Sequence, residues 1–160
     1  MKILVANKER EAVQWMERAA KVALKSPCFR SQCGSVIVKN EETIGEGFNG
    51  PPAGQTVEQC LKDDLPAKFK SDKTCCVHAE QRAIIDALVK HPDKIKGSRL
   101  YFIRLDSNGH MAKAGKPYCT ICSKMALDAG LAEFVLWHEE GICVYGTEEY
   151  NKKSFEYRGD

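Results

Sequence analysis

The sequence predicts an α/β domain with one mixed sheet and helices on both faces. Short β-branched or apolar runs alternate with segments of helical periodicity, after an opening helix and hairpin. Gly, Pro, Asn and Asp punctuate the joints between them. The last two strand-like runs are separated by only four residues, His138 to Gly141. A parallel crossover takes a dozen or more residues, so that pair is antiparallel and the sheet mixed. At 160 residues the chain suits one domain spanning 1–160.

Residues 8–25 place Ala12, Trp15, Met16, Ala19, Val22 and Ala23 at helical spacing among charges, and Pro27 stops the run. Residues 34–39 (GSVIVK) form a β-branched strand, and residues 43–48 (TIGEGF) return beside it as a hairpin. Residues 49–76 are long and irregular, with Pro51, Pro52, Gly54 and Pro66; loops of this length in compact domains are functional or disordered. A second helix runs over 78–90 with Ala83, Ile84, Ala87 and Leu88 on its core face, and Pro92 and Gly97 mark its exit. Residues 99–105 (RLYFIRL) read as a buried strand, followed by the polar loop DSNGHMAKAGKP. A third helix spans 119–129 and stops at Gly130. Strands follow at 132–137 and 142–145, and Thr147 caps a last helix to about Phe155. Five strands in all are expected.

Composition narrows the function. Lys and Arg number 24 against 22 Asp and Glu, a formal charge of +2, and aromatic residues make up 8%. Neither suits a nucleic-acid groove, which needs a basic track and stacking rings. Mean hydropathy is −0.40, and no apolar run approaches the ~20 residues that span a bilayer. The start, MKILVANKEREAVQW, lacks the apolar core of a secretory signal. A cytoplasmic location is expected. Eight cysteines in a reducing compartment then point to metal ligands or buried thiols rather than disulfides.

The chemistry concentrates in two short motifs. His78-Ala79-Glu80 opens one helix and Cys119-Thr120-Ile121-Cys122 opens another. Imidazole and thiolates suit zinc, and cysteines three apart at a helix start face one side, where the helix dipole favours thiolate. One His and two Cys leave a fourth tetrahedral position open, and zinc lowers the pKa of water there to ~7. Glu80 is placed to move protons without binding the metal.

H-x-E followed by P-C-x-x-C is the signature of zinc nucleobase deaminases, and the two motifs here match it apart from the place of the proline. The chain resembles the cytidine/deoxycytidylate deaminase superfamily over about residues 11–137, and within it the deoxycytidylate (dCMP) branch. The helix EAVQWMERAAKVALKS, the Cys28-Phe29-Arg30 turn, the strand CGSVIV, the segment Gly47-Phe48-Asn49-Gly50-Pro51-Pro52, CVHAE and the cysteine pair carry the resemblance in order. It implies a cytidine deaminase-like three-layer α/β/α fold. It implies a Zn2+ cofactor held by His78, Cys119 and Cys122, with Glu80 as proton shuttle. The Ala79 amide would bind the pyrimidine carbonyl and Asn49 the sugar. The implied reaction is hydrolytic, releasing ammonia from a small cytosine nucleotide or nucleoside. A homo-oligomer is implied as well.

Three features depart from the family pattern. Pro117 precedes Tyr118 rather than Cys119, Arg82 stands where the dCMP branch has Asn, and the loop from Asp106 to Lys116 is long. The altered Pro-Tyr-Cys and Gln-Arg residues keep open a deaminase of another amino-heterocycle, such as guanine or a pterin-like base, and the four-residue link after Trp137 suits the free-cytidine branch. The non-enzyme alternative is a zinc-stabilised interaction module, which would want a fourth protein ligand and has no use for Glu80. Arg30, Lys113, Lys116 and Arg82 are the cations available to a substrate phosphate; Arg30 is the candidate contact, and Arg82 reads as a helix-face charge or an internal ion pair. Cys28, Cys60 and Cys75 could supply a second zinc site, with buried thiols as the default. Cys143, Trp15 and Trp137 read as core. His91, His110 and His138 read as surface residues, and the Lys68, Lys70, Lys73 run as a solvated loop.

Overall fold

An 18-residue amphipathic helix, α1 (Ala6–Ala23), buries Ala12, Met16, Ala19, Val22 and Ala23, the face its spacing predicts. The hairpin follows as β2 (Cys33–Lys39) and β3 (Glu42–Phe48), after a short opening strand β1 (Lys2–Ile3). Asn40 and Glu41 turn the hairpin with positive φ at both positions, as a two-residue loop between twisted strands requires. The computed structural model describes residues 1–66 and 76–157. The Lys68, Lys70, Lys73 run and Cys75 lie outside them. Two single turns of 3₁₀ helix, Pro52–Gly54 and Leu61–Asp64, are the regular structure described in the long irregular stretch.

The second half contains α2 (Ala79–Lys90), β4 (Arg99–Leu105), β5 (Met111–Ala112), α3 (Thr120–Asp128), β6 (Glu133–His138), β7 (Gly141–Gly146) and α4 (Thr147–Glu156). The sheet runs β1-β7-β6-β4-β2-β3, with β5 on β4. Among the described residues β4 and β6 are the parallel pair, joined through α3, and the other pairings are antiparallel. The β6–β7 pair is antiparallel as its short link demands.

Side-chain alternation splits the core into two layers. Val36, Val38, Tyr101, Ile103 and Val135 face α1. Ile37, Ile44, Leu100 and Phe134 face α2, α3 and α4, with Phe134 stacked on Tyr150 at 4.1 Å between ring centroids. This is the expected α/β/α layering, with seven strands rather than five. The two added strands, β1 and β5, are two residues long. Neither is long enough to show a period of its own; each is held by backbone pairing to a longer neighbour.

Four local expectations are corrected. Leu88 is 41% exposed; the inward stripe of α2 is Ala79, Glu80, Ala83, Ile84 and Ala87, and Leu88 falls outside it. Thr147 is the first helical residue after the cap Gly146. Its hydroxyl donates to the Leu131 carbonyl at 2.7 Å rather than capping its own helix. His138 is buried, because β6 extends through it and β7 brings the Tyr145 hydroxyl to 2.9 Å from its Nε2. The loop after β4 is not all irregular: Asp106 accepts from the Asn108 and His110 amides, and the chain folds back as β5. No helix among the described residues is long and apolar enough to cross a membrane.

Candidate metal centre

Two helix starts converge on one point. His78 is the N-cap of α2, and its backbone N–H donates to Gln81 Oε1 at 3.0 Å. Cys119 is the N-cap of α3, and its Sγ accepts from the Cys122 amide at 3.3 Å. Gly47 lets α2 come this close to the sheet. A Cβ there would lie 2.3 Å from the Ala79 carbonyl oxygen and 2.4 Å from the Ala83 nitrogen.

His78 Nδ1 lies 3.3 Å from Cys119 Sγ and 3.3 Å from Cys122 Sγ, and the two sulfurs are 3.1 Å apart. All three atoms fall within 4.8 Å of one another. A zinc tetrahedron built with ordinary Zn–N and Zn–S bonds has edges of roughly 3.5–3.8 Å. The triangle therefore needs to open by roughly 0.2–0.7 Å along its edges, and its donor set of one imidazole and two thiols is zinc chemistry. Both cysteines are buried and His78 is half-buried.

The electrostatics favour a thiolate. A hydrogen bond from Cys122, reinforced by the His78 ring, pulls the Cys119 thiol down to about 4. The same thiolate pushes Cys122 up and raises His78. Glu80, on the first turn of α2, is 7% exposed, and burial pushes its carboxyl up to about 7 against the pull of His78. A carboxyl near neutrality can both take and return a proton.

His78 of this triangle lines a cavity of about 440 Å3, whose walls also include Ala79, Glu80, Asn49, Arg30 and Tyr118. Every residue named from the sequence for catalysis or substrate contact is thus at this cavity. Ala79 is the first residue of α2, where backbone N–H groups have no partner within the helix. The Asn49 side chain is engaged within the protein. Its Oδ1 accepts from Ser26 Oγ and the Cys33 amide at 2.7 Å each, and its Nδ2 donates to the Ser31 carbonyl at 2.9 Å. Arg30 is paired with Asp63. Lys113 is paired with Glu139 at 2.6 Å.

Arg82 makes neither an ion pair nor a solvated charge. Its guanidinium donates to the carbonyls of Phe48 at 3.3 Å, Gly50 at 3.0 Å and Pro51, and lies 5.1 Å from the Phe48 ring centroid. Cys28 and Cys60 line the cavity with Cys33 and Cys76. Among the described residues, His78, Cys119 and Cys122 form the one group placed to hold a metal ion. Phe102, Arg104 and Tyr157 are cavity residues that sequence reading misses. Alternation along RLYFIRL would have found two of them, since Phe102 and Arg104 share a face with Leu100.

The comparisons with known proteins agree with this site. The family model described as the cytidine and deoxycytidylate deaminase zinc-binding region matches residues 9–138. Deoxycytidylate deaminase of Mycobacterium phage D29 is 30% identical over 125 residues, covering 73% of this chain and 86% of that protein. Deoxycytidylate deaminase of Schizosaccharomyces pombe is 32% identical over 81 residues; the match covers 46% of this chain and spans 24% of that protein's length. Among solved structures, dCMP deaminase from the cyanophage S-TIM5 in complex with dCMP and dUMP superposes with a TM-score of 0.56 at 27% identity, covering 82% of each chain. On its motifs, its fold and the match over residues 9–138, the chain belongs to the zinc-dependent cytidine and deoxycytidylate deaminase family.

Proposed function

We propose that this protein hydrolytically deaminates a cytosine nucleotide, with dCMP as the substrate and dUMP and ammonia as products. The observation that carries the reading is the buried Glu80 carboxyl two residues from His78, at the cavity that His78 lines beside Cys119 and Cys122. A structural zinc corner has no need of such a carboxyl. The choice of dCMP rests on the relatives named above.

In this mechanism His78, Cys119 and Cys122 would hold Zn2+. Bound there, zinc supplies Lewis acidity that brings a water's pKa to ~7. Glu80 takes one proton of the attacking water and passes it to N3 of the ring, then takes the second from the hydroxyl added at C4 and delivers it to the departing amine, which leaves as ammonia as the C4 carbonyl forms. Its carboxyl, raised to about 7, suits a group that must be base and then acid near neutrality. The Ala79 N–H, at the positive end of α2, binds the pyrimidine carbonyl oxygen. Asn49 and Arg30 serve the sugar and phosphate side. For Asn49 this requires exchanging one of its internal hydrogen bonds for the sugar hydroxyl.

The unit that acts is the 1–160 domain, working in the cytoplasm as a homo-oligomer. An ammonia-release screen over cytosine, cytidine, deoxycytidine, CMP, dCMP, dCTP, guanine and adenosine tests the reading. The highest kcat/KM is expected for dCMP. Turnover confined to guanine or adenosine would replace it.

A further inference from the structure

The cations around the site differ in whether they are already held. Arg30 pairs with Asp63, Lys113 with Glu139, and Arg82 with three backbone carbonyls. Arg104 differs from these three, as do Lys62 at the same cavity and Lys116 beyond it, and of these unheld cations Arg104 is the one rooted in the sheet. Among the described residues no carboxylate or carbonyl accepts from its guanidinium, and the residue is exposed.

Its backbone is nevertheless firmly placed. Arg104 pairs with Cys33 of β2 on one side and with Ala112 of β5 on the other. β6 pairs with β4 only as far as Tyr101, so β5 takes its place beside Arg104. Strand alternation then directs Arg104 to the same side as Leu100 and Phe102, the side of α2, α3 and α4. Arg104 lines both the 440 Å3 cavity that holds His78 and Glu80 and a neighbouring cavity of about 730 Å3, whose walls include Lys116 and Lys153. It therefore stands at the junction of the reacting end and an outer chamber of mixed charge, whose walls also carry Glu139, Glu140 and Glu156.

We propose that Arg104 recognises the 5′-phosphate of the substrate and makes the site selective for a nucleotide over a nucleoside. The inference rests on the deaminase reading above. A phosphate leaving the base end of the cavity meets a guanidinium with both faces of its fork free, fixed at its root by two strands. Guanidinium binds phosphate through two parallel N–H···O bonds, which a lysine cannot reproduce. The extended loop after β4 then has a function, since β5, which it contributes, is one of the two strands that fix Arg104.

The test compares dCMP with deoxycytidine as substrates, and dUMP with deoxyuridine as ligands by calorimetry, for wild type, Arg104→Ala, Arg104→Gln and Arg104→Lys. Loss of a charged hydrogen bond corresponds to roughly 10–150-fold in binding. Arg104→Ala and Arg104→Gln are expected to lower kcat/KM for dCMP by about that factor through KM and to weaken dUMP equally. Deoxycytidine and deoxyuridine should be unchanged, and Arg104→Lys should recover part of the loss. Equal effects on nucleotide and nucleoside in both the Ala and Gln variants would overturn the assignment. So would a larger loss on dCMP in Arg30→Ala than in Arg104→Ala. A wild-type protein that releases ammonia from neither cytosine substrate would overturn the deaminase reading itself, and this assignment with it.

Discussion

His78 and Cys119 are the N-caps of two different helices, and their side chains meet with Nδ1 3.3 Å from Sγ. The positive ends of α2 and α3 therefore point at one spot. Each end carries partial positive charge, which stabilises thiolate there. Metal affinity depends on deprotonated ligands, so this arrangement pre-pays part of the cost of binding a cation.

Zinc is expected at about one per chain, by the count of one three-residue group. Cys119→Ala and Cys122→Ala should each lose metal and activity together, measured by elemental analysis of the purified protein beside ammonia release. Full zinc content in both variants would show that other residues hold it. Stripping zinc with a chelator should also lower the melting temperature, because a ligand bound only by the folded state stabilises it.

Glu80→Gln keeps the side chain's size and its place on α2 but cannot carry a proton. General acid–base catalysis is worth typically ~10²–10⁴-fold, and a residue acting at several steps belongs at the upper end. The variant should retain zinc and lose turnover by about 10³-fold or more. A variant with a third of wild-type kcat would remove Glu80 from the mechanism.

Much of this was legible before the structure, for a physical reason. Helical and strand periods come from burying one face, so α1, β2, β4 and β6 announce themselves in residue spacing. The zinc group is legible because each ligand sits at a helix start, where local sequence controls orientation. What stayed hidden depends on pairing at a distance. β5 has no pattern of its own and exists because β4 has a free edge beyond Tyr101. His138 reads as a turn residue, and its burial depends on Tyr145 arriving from β7. Arg82 reads as a surface charge, because the three carbonyls it binds belong to a loop more than thirty residues earlier.

The metal-free protein should show a pH signature from Glu80. Burial raises its folded-state carboxyl to about 7, above the ordinary carboxylate range. The folded state then binds a proton that the unfolded state releases. Its contribution to stability is fully present below the unfolded pKa and is lost as pH rises through about 7. In chelated protein, Glu80→Gln should therefore stabilise relative to wild type at pH 8 and much less at pH 4. Urea midpoints across that range measure the difference. Parallel profiles for the two proteins would mean that Glu80 ionises normally.

Arg82 ties the N-terminal turn of α2 to the chain leaving β3, through the carbonyls of Phe48, Gly50 and Pro51 and the face of the Phe48 ring. That chain includes Asn49, whose own amide links Ser26, Ser31 and Cys33. Removing the guanidinium takes a donor from each of these carbonyls, of which that of Gly50 keeps the Val77 amide at 2.9 Å. Hydrogen bonds from a charged group contribute ~1.5–3 kcal/mol each at most, and water reaching the loop will recover part of that. A cation over an aromatic ring adds ~0.5–1 kcal/mol. Arg82→Ala should therefore cost about 2 kcal/mol of folding stability. Arg82→Lys should recover little, since an ammonium lacks the planar fork that spans neighbouring carbonyls. Zinc content should stay at the wild-type level in both, because none of the three donor atoms touches Arg82. Denaturant midpoints decide the matter. An Arg82→Ala protein as stable as wild type would show that Asn49 and the Gly50–Val77 bridge hold the loop after β3 without it.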